Sequence, residues 1–145
     1  MKTKTEEQII EKAVFVDVQG TLVLGNRLND TLYADMERIR KRGADVVIFT
    51  MAGPRSMTEH LKKLGVNTER FPVVNKFAYR GHLFTGLIID DIPPHLQGFK
   101  ANPGVYDERG SLLHYLVKQL ETDPSLTFKQ ALKKCRTPVS QQNGR

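Results

Sequence analysis

Four short apolar runs, each closing on polar residues, constrain this chain more than any other feature. They are Ala13-Val14-Phe15-Val16-Asp17-Val18, Asp45-Val46-Val47-Ile48-Phe49-Thr50, Phe71-Pro72-Val73-Val74, and Leu87-Ile88-Ile89 followed by Asp90-Asp91. Unbroken apolar character, rich in β-branched residues, belongs to strands buried on both faces, the habit of parallel sheets. Pro72 restricts the third run to an edge or to a strand start. Between the runs the apolar period becomes helical. Leu32, Met36 and Ile39 share a face after Asn29 or Asp30 as a cap, and Gly43 ends that helix. Pro54 opens another, with Met57, Leu61 and Leu64 as its stripe and Gly65 as its close. Strands alternating with helices specify an α/β fold: a doubly wound (Rossmann-like), mainly parallel sheet in three α/β/α layers.

The remaining segments fill in around this frame. Thr5-Glu6-Glu7-Gln8 reads as a capping box for a short lead-in helix over 5–12. Gly20, Gly25, Asn26 and Asn29 make residues 20–29 a turn and a small flap. Residues 95–110 read as loop, with a fifth short strand near Val105-Tyr106. Ser111 is positioned to cap a helix bearing Leu112, Leu116 and Leu120, and Asp123-Pro124 to start a last one bearing Phe128, Ala131, Leu132 and Cys135. A chain of 145 residues suits one domain over 1–136, with its core at 13–122, helices at 111–136 and a flexible tail at 137–145.

No apolar run reaches the roughly 20 residues of a membrane span, and the amino terminus lacks the apolar core of a secretory signal. The single cysteine, Cys135, cannot form an internal disulfide and suits a reducing compartment, so the cytoplasm is expected. Net charge is +6, and the stretch from Pro124 onward holds Lys129, Lys133, Lys134, Arg136 and Arg145 with no acid. Residues 124–145 could therefore contact nucleic acid, although Phe128 is the one aromatic residue there to stack on bases. A solvated helix with a frayed end accounts for the same charges. The histidines show no metal-ligand spacing.

In a parallel sheet the strand ends lie along one edge, where ligands bind. That edge would gather Asp17, Thr50, Lys76 and the pair Asp90-Asp91. Carboxylates suit a hard cation such as Mg²⁺, which can share phosphate oxygens. A hydroxyl and an ammonium can hold the remaining oxygens, as phosphoryl transfer requires. Gly20 and Thr21 supply a tight turn whose N–H groups could face an anion. Lys62 or Lys63 could serve as the ammonium in place of Lys76, and Arg55 and Arg80 could meet an anionic substrate, although surface placement accounts for either.

Asp17-Val18-Gln19-Gly20-Thr21 resembles motif I of the haloacid-dehalogenase-like (HAD) superfamily in its phosphatase form, Asp-x-Asp-Gly-Thr. Thr50 resembles the hydroxyl residue of motif II, Lys76 the lysine of motif III, and Asp90-Asp91 the acidic pair of motif IV. The resemblance spans residues 13–100. It implies an Mg²⁺-dependent phosphohydrolase working through an aspartyl-phosphate at Asp17. Metal ligands would be Asp17, the Gln19 carbonyl, and Asp90 or Asp91; substrate would meet Gly20, Thr50, Met51 and Lys76.

One position departs from the family pattern. Gln19 stands where the second aspartate, the general acid–base, would be, and an amide cannot shuttle protons near pH 7. Loss of a positioned acid–base costs about 10²–10⁴-fold, and less for leaving groups such as aryl phosphates that depart without a proton. Turnover is therefore expected to be weak or atypical. The first alternative is a catalytically impaired protein that binds Mg²⁺ and a phosphorylated ligand or partner. A nucleic-acid-associated protein using the basic tail is the second. The inserts are too short for a large cap domain, which suits a macromolecular substrate.

Overall fold

A computed structural model describes residues 13–79, 83–84, 86–101 and 106–135. The expected lead-in helix over 5–12, Arg80, Val105, Arg136 and the tail over 137–145 lie outside the described residues. Strands β1 (Ala13–Asp17), β4 (Asp45–Thr50), β5 (Val73–Asn75), β7 (Leu87–Ile89) and β9 (Tyr106–Asp107) form one five-stranded sheet in the order β5-β4-β1-β7-β9. Every pairing in it is parallel. Numbered along the chain this order is 3-2-1-4-5, that of a doubly wound sheet, and it reverses between β1 and β7. Two small pairs stand apart: the hairpin β2 (Val23–Leu24) with β3 (Arg27–Leu28), and β6 (Leu83–Phe84) with β8 (Lys100–Ala101).

Strand parity divides the core. Val14, Val16, Val46, Ile48, Leu87 and Ile89 point to one face, where they meet the buried sides of all four described α-helices. These are α1 (Asp30–Lys41), α2 (Pro54–Lys63), α3 (Ser111–Thr122) and α4 (Phe128–Cys135). Phe15, Val47, Phe49 and Ile88 point to the other face and pack with Phe99, Tyr79 and Val74. Among the described residues that second face is covered by connections containing 3₁₀ turns, Lys76–Tyr79 and Pro94–Gln97, and not by α-helix. The connections after β5 and β7 are shorter than those after β1 and β4, and the one after β7 carries Pro93, Pro94 and Pro103, which interrupt helical turns.

The helix ends follow local chemistry. Asn29 accepts the Leu32 N–H at 3.2 Å and caps α1, whose last turn carries Arg38, Arg40 and Lys41 toward the negative end of the dipole. Pro54 is the first residue of α2. Two expected starts move. Ser111 is already inside α3, and the cap comes from the buried Asp107 carboxylate, which accepts from Gly110 N at 3.0 Å and Leu113 N at 2.9 Å. The last helix begins at Phe128 rather than at Asp123-Pro124, because Thr127 and Gln130 exchange reciprocal cap bonds. No described helix is long and apolar enough to cross a membrane.

Candidate active site

Register brings the functional residues together before any side chain is considered. Ile89 lies opposite Val16 and Phe49 opposite Asp17, so Asp90, Asp17 and Phe49 stand level across three neighbouring strands. Thr50 pairs with Asn75, and Lys76 follows directly. Asp17 shares the parity of Phe15, and Asp90 that of Ile88, which aims both carboxylates at the face opposite the helices. This is the carboxyl edge at the point where strand order reverses, the crevice in which open α/β sheets bind ligands.

Lys76 sits between the two carboxylates. Its Nζ lies 2.7 Å from Asp17 Oδ1 and 2.8 Å from Asp90 Oδ2, and donates to Gln97 Oε1 at 2.9 Å. Those three acceptors match the three protons of an ammonium. The same nitrogen stands 4.8 Å from the centre of the Phe49 ring, an added cation–π attraction. Lys76 thus has its donors committed to protein oxygens, and its primary task in this geometry is to hold and neutralise two buried acids. Lys62, by contrast, is exposed and faces Glu59 along α2.

Two further residues complete the frame. Thr21 donates its hydroxyl to Asp17 Oδ2 at 3.1 Å and accepts the Asp91 N–H at 3.2 Å, tying the β1 turn to the β7 turn. Gln97 donates to Asp90 Oδ2 and to the Ile92 carbonyl, each at 2.9 Å, while accepting from Lys76. Gln97 gives no signal in the sequence; only the 3₁₀ turn after Pro93-Pro94 brings it under Asp90. Thr21 closes the Asp17–Thr21 motif, where the sequence marks it only as part of a turn; the two bonds of its hydroxyl come from the fold.

The turn itself corrects one expectation. The Gly20 N–H donates to Val23 O at 2.9 Å and the Thr21 N–H to Val18 O at 3.2 Å, so these two groups serve the turn and not an anion. Glycine is required at position 20 for another reason. Its φ is +79°, and a Cβ there would lie 2.5 Å from Asp91 Oδ2. Thr50 is buried and accepts the Ala52 N–H at 3.1 Å, which leaves its own proton available to donate. Met51 and Gln19 are exposed, and Gln19 bridges to Val23 at the base of the hairpin.

Asp17, Asp90 and Asp91 each offer an oxygen, and these atoms all lie within 4.8 Å of one another. Octahedral Mg²⁺ at its usual ligand distance places oxygens about 3 Å apart in cis and about 4.2 Å in trans. Three carboxylates against one ammonium leave an excess of two negative charges, which a divalent cation would cancel. The donor set is all oxygen, as a hard cation requires. These residues fit such an ion.

The electrostatics of Asp17 carry a measurable consequence. Burial is the largest influence and pushes its pKa from 3.8 up to about 6; the Lys76 hydrogen bond opposes this, and the neighbouring Asp90 adds to it. Between pH 4 and about 6 the folded chain therefore holds a proton that the unfolded chain has released. Stability from this group is highest near pH 4 and is lost as pH rises through 6. In chelator-treated protein, urea unfolding between pH 4.5 and 7.5 should show this downward slope, and Asp17→Asn should flatten it. An unchanged slope in the variant would assign the pH dependence to other groups.

The basic residues of α4 lie elsewhere. Lys129, Lys133 and Lys134 are exposed, and the last two border an open pocket with Leu126 and Gln130. The chain matches no family model, and neither a curated protein nor a solved structure matches it.

Proposed function

We propose that this chain is a HAD-like, Mg²⁺-dependent phosphohydrolase that acts through an aspartyl-phosphate at Asp17 and turns over slowly because Gln19 replaces the general acid–base. One observation carries the reading. Asp17 stands at a sheet's ligand-binding edge with two more carboxylates in chelating range and an ammonium 2.7 Å away. Asp17, Asp90 and Asp91 would hold the cation, which when bound would neutralise charge on the phosphoryl oxygens.

The chain's own residues supply the remainder. Asp17 Oδ attacks phosphorus, and above pH 6 it is in the ionised form that attack requires. Lys76 and Thr21 fix the carboxylate from both oxygens. The Thr50 hydroxyl, buried at the end of β4, would donate to a phosphoryl oxygen. The insert between β1 and α1 is a small hairpin, which favours an open site without a large cap and a substrate that can be macromolecular.

Gln19 also supports a second reading, a protein that binds Mg²⁺ and a phosphorylated partner without turning it over. Acetyl phosphate separates the two, because its carboxylate leaves without a proton. The expected result is Mg²⁺-dependent phosphate release, abolished by chelation, with a first-turnover burst as aspartyl-phosphate accumulates. Gln19→Asp should remove the burst and raise steady-state turnover at least tenfold, since a positioned acid–base is worth about 10²–10⁴-fold. Saturable binding with neither burst nor turnover would establish the second reading.

A further inference from the structure

The acidic site leaves the cations of α4 unused, and their arrangement stands independently of how that site is read. We propose that the outward face of α4, with the loop before it, docks the phosphodiester backbone of nucleic acid, held by charge and without reading bases.

The helix divides cleanly into two sides. At about 100° per residue, Lys129, Gln130, Lys133 and Lys134 fall together and are all exposed, while Phe128, Ala131 and Leu132 turn into the core. Leu126, Gln130, Lys133 and Lys134 line an open pocket of about 520 Å³. Arg42, the residue that closes α1, donates from Nη2 to the Pro124 carbonyl at 3.1 Å and to the Leu126 carbonyl at 3.4 Å. Those bonds fasten the loop before α4 and bring a further positive charge beside Leu126.

These cations are not neutralised by the fold. Arg38, Lys62, Arg70 and Lys76 each form an ion pair with a carboxylate. Lys129 and Lys133 form none among the described residues. Lys134 has Asp123 within electrostatic range, but that carboxylate already accepts the Ser125 hydroxyl at 2.6 Å and the Ser125 N–H at 3.2 Å. Gln130 gives its amide oxygen to the Thr127 N–H at 3.0 Å, which leaves its amide N–H groups for a ligand. The polar wall of the pocket is thus made of donors.

Two further observations choose among polyanions. Among the described residues, no large apolar side chain stands exposed over 123–134. Membrane surfaces and helical peptides are held by apolar burial together with charge, whereas a nucleic-acid backbone is held by charge and hydrogen bonds. Phe128, the one aromatic residue of this stretch, is buried and presents no ring on which a base can stack. The grip is therefore on phosphates and indifferent to sequence.

The test is fluorescence anisotropy of a labelled DNA duplex of about 20 base pairs, and of its single strands, with the full chain in chelator at about 50–200 mM salt. Three lysines on phosphates predict a log–log salt slope of about −2.7, an affinity loss of about fortyfold over that range. Lys133→Gln/Lys134→Gln should lower affinity at least tenfold at the lower salt and reduce the slope to about −0.9. Lys133→Arg/Lys134→Arg should retain binding. Lys62→Gln/Lys63→Gln removes two charges from α2 and should change affinity less than twofold. All these side chains are exposed, so urea midpoints should stay at the wild-type value. Equal losses from the two glutamine pairs would reduce the effect to net charge and overturn the proposal. A wild-type slope shallower than about −1, or a tenfold preference for single strands, would overturn it too. Displacement of the duplex by anionic vesicles or poly-glutamate at equal or lower charge concentration would replace nucleic acid by a membrane or an acidic protein.

Discussion

Asp17→Asn is expected to lower Mg²⁺-dependent acetyl phosphate hydrolysis by more than about a thousand-fold while leaving the domain folded and as stable as wild type at pH 7.5. Loss of activity follows from chemistry, because an amide oxygen cannot form the acyl phosphate that a carboxylate forms. The second half follows from the environment of this side chain. Folding raises the Asp17 pKa, so at pH 7.5 the ionised form is held against its own preference. A neutral isostere removes a like charge beside Asp90, still accepts from Lys76, and can donate to the Thr21 hydroxyl. Stopped turnover with unchanged urea midpoint is therefore the signature of a nucleophile. If activity and stability fall together, Asp17 is a structural acid and the catalytic assignment fails.

Lys76→Met should have the opposite profile, with stability as the primary casualty. The ammonium separates two carboxylates, one of them fully buried, and satisfies Gln97 as well. Removing one partner of a buried ion pair leaves an uncompensated charge, at a cost of about 3–5 kcal/mol. In a domain of this size that is a fall of roughly 10 °C in melting temperature. Added Mg²⁺ should recover more of the loss in the variant than it adds to wild type, because the cation replaces the missing positive charge beside the same acids. Adding Asp90→Asn to the variant should also recover stability, by removing the repulsion. A melting temperature within about 2 °C of wild type, with no differential effect of Mg²⁺, would show that the carboxylates do not depend on Lys76.

How much of this was legible depended on where each residue sits relative to a periodic pattern. Asp17, Thr50 and Asp90 close apolar runs, and a parallel sheet must align such ends, so their neighbourhood follows from strand assignment alone. Lys76 was within reach because β5 is short and ends one residue before it. Gln97 was invisible, since a 3₁₀ turn between prolines has no period to read and its position depends on how the chain returns over the second face. The cap of α3 was misplaced for a related reason. Ser111 looks like a cap locally, but Asp107, held by pairing with Ile89, reaches the same N–H groups first. Alternation of strands and helices suggests helices on both faces, whereas the described parts of the connections after β5 and β7 form only 3₁₀ turns. The motif turn is legible in the sequence, but the use of its N–H groups is not: the turn's own carbonyls take them before any anion can.

The division of the sheet into a helical face and a charged face also bears on how such a protein can change. Core substitutions among Met36, Ile39, Leu61, Leu116 and Leu120 act behind the strands, while the acids, Lys76 and Gln97 lie in front of them. Drift in the supporting side is thereby buffered from the chemistry, since only a shift of the strands themselves can carry a repacking across. The front has obligations of its own, the packing of Phe99 and Tyr79 on the sheet and the buried ion pairs of Lys76, and exchange there is free only at the exposed positions between them. A chain organised this way can alter what it recognises without renegotiating how it folds.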